Sequence, residues 1–137
     1  MSCYNLFISH SWAYGDAYEK LLQLLNNQKS YFFDYKNYSV PKYNPIYGAQ
    51  TDAQLYEAIK AKILPCRNVI ILAGVYSTYS KWINLEIRIA KELGKKIIAI
   101  EPWGAERTSQ VVKNNADYII PWRGDSLVKA IQAIKII

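Results

Sequence analysis

From Asn68 to Ile100 the chain reads NVIILAGVYSTYSKWINLEIRIAKELGKKIIAI, and the pattern within this stretch decides the fold. Asn68 to Ala73 is an unbroken apolar run, as expected of a strand covered on both faces rather than one with a wet side. Lys96 to Ile100 repeats the pattern. Between them, Ser80 to Leu93 carries apolar residues at helical spacing, and Gly94 marks the helix stop. Two doubly covered strands joined by a helix make a parallel pair with a right-handed crossover.

The same alternation extends in both directions. Upstream, Tyr4 to Ser9 reads as a strand. Trp12 to Asn27 reads as a helix with Leu21, Leu22, Leu24 and Leu25 as its apolar stripe and Ser9 or Ser11 as cap. A second strand is expected within Tyr31 to Tyr35, followed by a long aromatic loop containing Tyr38-Ser39-Val40-Pro41 and Asn44-Pro45-Ile46-Tyr47-Gly48. Thr51 to Leu64 is a helix capped by Thr51 or Asp52, with Leu55, Ile59 and Ile63 on one face. Gly74 to Tyr79 is a loop. Downstream come a short helix over Thr108 to Asn115, a fifth strand over Tyr118 to Pro121, and a last helix over Asp125 to Ile136. Five strands alternating with five helices imply an α/β flavodoxin-like three-layer sandwich. Its five-stranded parallel sheet has the order 2-1-3-4-5, with helices on both faces. Ligands of such sheets bind beyond the carboxyl ends of the strands where the order reverses, so the loops after strands one and three are the expected site.

A length of 137 residues with 51% apolar and 20% charged residues suits one domain over residues 1–137, with a core of its own. Neither an internal repeat nor a Gly/Ser linker divides it. Cys3 and Cys66 lack CxxC spacing and adjoin apolar runs, so both are expected as small buried hydrophobes in a reducing compartment. The amino-terminal residues lack signal-peptide features, and no apolar run approaches the ~20 residues of a membrane span. A soluble, cytoplasmic protein is expected, with no membrane partner. The net charge of +6 comes from 17 scattered basic residues in which Lys95-Lys96 is the only adjacent pair. That pattern argues against nucleic acid and suits an anionic small molecule. His10 is the single histidine, so no His-based metal cluster can form. The chain lacks GxGxxG, GxxxxGK[ST], HExxH and GxSxG, which leaves dehydrogenase, P-loop, zinc-protease and serine-hydrolase readings without support.

One residue conflicts with its surroundings. Advancing ~100° per residue, Trp82, Ile83, Ile89, Ala90 and Leu93 all fall within about 60° of Glu86, while Asn84, Arg88 and Lys91 lie on the far side. A carboxylate on an apolar helix face must be paired, protonated or open to a ligand cavity. Helix geometry weighs equally an ion pair with a basic residue such as Lys81, or capping of backbone amides, and a functional carboxylate near the ligand crevice.

Phe7-Ile8-Ser9-His10-Ser11-Trp12 together with Ser80-Lys81-Trp82-Ile83-Asn84-Leu85-Glu86-Ile87 resembles TIR domains, and most closely the TIR-like proteins of bacterial Thoeris antiviral systems. Ser39-Val40-Pro41, Gly74-Val75-Tyr76-Ser77 and Pro102-Trp103-Gly104 extend the likeness over nearly the whole chain. His10 stands where many TIR domains carry an aromatic, Ile83 replaces a common cysteine, and the Arg-Asp-x-x-Pro-Gly loop signature is absent. These departures point away from a receptor-adaptor TIR.

The resemblance implies an enzyme that consumes NAD+ as substrate, with no cofactor and no metal. Such an NAD+ nucleosidase or ADP-ribosyl cyclase cleaves the nicotinamide–ribose bond. An ADP-ribose-derived product, expected to be cyclic, would then activate a separate effector. Glu86 inherits the catalytic role, four residues after Trp82. Phe7, Ser9, His10, Ser11, Trp12 and Trp82 are the expected substrate-binding residues, with capping, core packing or a structural histidine as their plainer alternatives. Self-association, through a loop such as Tyr38 to Tyr47, and a phage-derived trigger are further expected partners. Two other functions fit the pattern: a non-catalytic TIR-like self-assembly module, and a nucleoside deoxyribosyltransferase-like enzyme with a glutamate at a glycosidic bond.

Overall fold

The computed structural model describes residues 3–9, 17–38, 52–72, 81–101 and 110–133. In chain order the elements are β1 (Cys3–Ile8), α1 (Ala17–Asn27), β2 (Asp34–Asn37), α2 (Asp52–Ile63), β3 (Asn68–Leu72), α3 (Lys81–Glu92), β4 (Lys96–Ile100), α4 (Gln110–Asn115), β5 (Tyr118–Ile120) and α5 (Gly124–Ala133). All strand pairs are parallel and the sheet order is β2-β1-β3-β4-β5, as the alternation predicts.

Side-chain alternation along the strands splits the core into two apolar layers. Leu6, Ile8, Ile70, Ile98 and Ile100 point to one face, where Leu21 and Leu25 of α1 and Leu127, Ala130 and Ile131 of α5 cover them. Phe7, Val69, Ile71, Ile97 and Ala99 point to the other, beneath Ile59 and Ile63 of α2, Ile83, Ile87, Ile89 and Ala90 of α3, and Val112 of α4. Winding outward from β1 to β2 and then back to β3 puts α1 and α2 on opposite faces. The reversal therefore falls between β1 and β3.

The second strand lies further along than the aromatic run suggests. Tyr31 and Phe32 are exposed at the tip of a tight turn in which Ser30 and Phe33 exchange backbone hydrogen bonds. The Ser30 hydroxyl accepts from the Phe32 amide. The strand itself is the polar segment Asp34–Asn37, set by its register against Cys3–Leu6. An edge strand pairs on one side only, so its position follows backbone pairing with β1 more than its own apolar content.

Cys66 is buried as expected, but Cys3 is exposed. The ladder with β3 begins only at Leu6, so the first residues of β1 run past the core on that side. Residues 1–2, 10–16, 39–51, 73–80, 102–109 and 134–137 lie outside the described residues, including the expected Ser11 and Thr51 caps and most of the aromatic loop.

Gly94 ends α3 as the spacing predicts. It takes a left-handed φ of 70°. Its amide donates to the Lys91 carbonyl, and the Lys95 amide reaches the Ala90 carbonyl, the pair of bonds that closes a Schellman cap. A Cβ at Gly94 would meet nothing within 4 Å, so Gly94→Ala tests backbone strain alone. The expected cost is about 1 kcal/mol, read as a lower midpoint of denaturant unfolding with an unchanged slope.

Candidate active site

Glu86 sits in the second turn of α3, on the face that carries Ile83, Ile87 and Ala90 into the apolar layer. Asn84, Arg88 and Lys91 are exposed on the opposite face, so the helical arithmetic holds side by side with the structure. Only 3% of Glu86 remains accessible to solvent. Its Oε2 has no hydrogen-bond partner, and among the described residues no lysine or arginine forms an ion pair with it. Burial pushes its carboxyl up to about 8, opposed only by the Ser9 hydroxyl, which favours the charged form. A carboxyl in this state is either protonated or paired with a group outside the described residues.

Ser9 is placed by the sheet. It follows β1 directly, and its amide donates to the Ile70 carbonyl at 2.8 Å, which keeps the backbone in the ladder. Phe7 points toward α3, so the two-residue period of a strand carries Ser9 to the same face one step nearer the carboxyl end. Ser9 is 4% exposed. Its Oγ has no hydrogen bond of good geometry, although it lies near enough to Glu86 to bias the carboxyl. The two groups are close without forming a completed hydrogen bond.

The other expected site residues divide. Phe7 is buried in the apolar layer between β1 and α3, where it supports the site from below. His10, Ser11, Trp12 and the side chain of Trp82 lie outside the described residues. Two features escaped the sequence reading. Tyr38, just past β2, donates its amide to the Leu6 carbonyl and packs its half-buried ring against the same layer as Phe7. Asn68 is fully buried with neither amide atom bonded, but it heads β3, at the opposite end of the strand from the Ser9–Glu86 corner. A polar residue opening an apolar run was the only signal for it.

Among the described residues, no helix is long and apolar enough to cross a membrane.

The fold recurs in solved structures. A Clostridium botulinum CMP N-glycosidase, BcmB, aligns with a TM-score of 0.55 and 18% identity, covering 93% of this chain and 98% of that one. A conserved protein from Enterococcus faecalis V583 aligns at 0.60 and 12%, covering 96% and 98%. Translation elongation factor SelB from Methanococcus maripaludis aligns at 0.54 and 13% over 99% of this chain, but only 36% of that one. At these identities the likeness is one of fold. No curated protein matches the sequence. The family model described as "Thoeris protein ThsB, TIR-like domain" matches residues 7–107, a span that begins with the last two residues of β1 and holds β3 and the whole of α3 with Glu86. On that match the chain belongs to the TIR-like domain family of Thoeris ThsB proteins.

Proposed function

We propose that this protein cleaves the N-glycosidic bond between nicotinamide and ribose in NAD+, with Glu86 as the group that stabilises the departing transition state. The observation that carries the reading is the buried, unpaired Glu86 oxygen beside Ser9 where the strand order reverses. Membership of a Thoeris TIR-like family supports it. So does the CMP N-glycosidase of the same fold, whose description names the same class of bond.

The chemistry suits the environment. The pyridinium nitrogen of NAD+ is cationic, and a cation next to a buried carboxyl favours its charged form. Substrate binding therefore draws the proton off Glu86. As the bond breaks, nicotinamide leaves as a neutral base with the electron pair, and positive charge passes to the ribose. A carboxylate fixed in an apolar wall stabilises that charge without reorganising. Capture by water gives ADP-ribose and a proton. Capture by a nucleophile of the same molecule gives a cyclic product, a diffusible messenger for a separate effector.

A second reading has an observation of its own. With its carboxyl raised to about 8 by burial, Glu86 is mostly protonated at neutral pH, and a neutral acid can give its proton to a nucleobase that would otherwise leave as an anion. This favours a nucleoside or nucleotide N-glycoside such as CMP. Incubating the concentrated protein with NAD+ and with CMP, and following free nicotinamide and free cytosine by chromatography, separates the two. Nicotinamide release is expected. Cytosine alone would transfer the reading to neutral nucleotides, and release of neither would leave a self-assembly module.

A further inference from the structure

The two polar side chains that meet on the α3 face of the sheet have a relation that neither the family nor the proposed reaction assigns. Ser9 and Glu86 are each more than nine-tenths buried, and each has an oxygen without a completed hydrogen bond. They come from different elements, one from the end of β1 and one from the second turn of α3. Buried polar groups left in this state are uncommon, and two of them on one apolar wall, with the Ser9 hydroxyl near enough to favour the charged carboxyl, point to a shared task.

We propose that Ser9 is the positioning residue for Glu86: its hydroxyl, fixed by the end of the β1 ladder, holds the carboxyl in place and stabilises its charged form, and so sets the pH at which the site works.

Among the described residues, few other candidates for this role surround Glu86. β3 and β4 present Val69, Ile71, Ile97 and Ala99 to α3, all apolar. α2 presents Ile59 and Ile63; its Tyr56 hydroxyl is engaged with Glu92, at the far end of α3, and Lys60 lies over the Tyr56 ring. Cys66, in the same layer, is a neutral thiol pushed up to about 12 by burial. On α3 itself, Arg88 and Glu92 pair with each other on the exposed face, where Lys91 is also exposed. Burial raises the Glu86 carboxyl, and among the described residues the Ser9 hydroxyl alone acts against it. The direction of Ser9 is not adjustable, because the Ser9 amide is bonded to the Ile70 carbonyl and the strand alternation sets which face its side chain takes.

The inference rests on the proposed reaction only for its consequence on rate. The titration of Glu86 can be read without substrate, from the side-chain carboxyl carbon of 13C-labelled protein, with the Glu86 signal assigned by its loss in Glu86→Gln. In Ser9→Ala the midpoint is expected to move up by at most about one pH unit, the scale of a full hydrogen bond to a charged group, which this looser contact approaches from below. Ser9→Thr keeps the hydroxyl and is expected to stay with the wild type. Should the alanine variant fail to fold, Ser9→Cys, a near-isosteric weak donor, is expected to give an intermediate rise. An unmoved midpoint in the folded variant, or a rise in Ser9→Thr equal to that in Ser9→Ala, overturns the inference. The acid limb of nicotinamide release should move with the midpoint. If the midpoint moves but no nicotinamide is ever released, the NAD+ reading fails and the Ser9–Glu86 relation stands.

Discussion

Glu86→Gln is expected to lower nicotinamide release from NAD+ by a factor of about 10²–10³ or more while the protein stays folded. Glutamine keeps the shape and one acceptor oxygen of the side chain but cannot carry charge. The substitution therefore removes the interaction that grows as the ribose becomes positive and leaves ground-state packing nearly intact. The loss should appear in kcat and in kcat/KM together, because a group that acts in the transition state contributes little to holding the substrate. A wild-type circular dichroism spectrum and a cooperative unfolding transition no less stable than that of the wild type would exclude a folding defect. Retained release in Glu86→Gln would remove Glu86 from the chemistry and leave the apolar wall as its only context.

The same residue governs the second large effect, which concerns stability. Burial pushes its carboxyl up to about 8 in the folded protein, from the 4.5 of an ordinary glutamate. Between these values the folded state holds a proton that the unfolded chain has lost, so stability falls as pH rises. Glu86 contributes no penalty below about 4.5. The penalty grows through the window at roughly 1.4 kcal/mol per pH unit, and it levels off above about 8. Other groups titrate in the same range, so the measurement is the difference between wild type and Glu86→Gln in urea or thermal unfolding. The two should be close in stability at the acid end, and the variant should be the more stable by several kcal/mol, as an order of magnitude, at the alkaline end. A difference that stays flat with pH would show Glu86 to be charged and compensated throughout. A saturating cationic substrate should shrink the difference, since it supplies the missing charge.

The packing around α3 explains why this carboxylate is tolerated in its position. α3 packs against β3 and β4 through Ile83, Ile87, Ile89 and Ala90, and its solvent face is tied to α2 through Arg88, Glu92 and Tyr56. The helix is held on both sides of Glu86, so it can carry a group that by itself weakens the fold. Strain kept at a working residue and offset by surrounding packing is the pattern expected of a functional site.

Much of this was legible in the sequence because it depends on local periodicity. The apolar runs Asn68 to Leu72 and Lys96 to Ile100 can only be strands covered on both faces, and a helix between two such strands leaves one handedness of connection. The three-layer sheet, its order, the Gly94 stop and the inward face of Glu86 all follow from those patterns. Tertiary structure decided what depends on partners distant in the chain. β2 settled on the polar segment Asp34–Asn37 and not on the aromatic residues before it, because backbone pairing with β1 places an edge strand. Cys3 emerged exposed because the β3 ladder starts three residues later. Whether Glu86 was an ion-paired structural residue or an unpaired one was equally balanced on the helix alone. The side chain of Lys81, the cation nearest in sequence, lies outside the described residues, and among the described ones the packing of β1 against α3 leaves Glu86 buried beside Ser9 with no cation paired to it. A helical wheel gives the direction of a side chain, but the dielectric and the partners it meets there come from other elements.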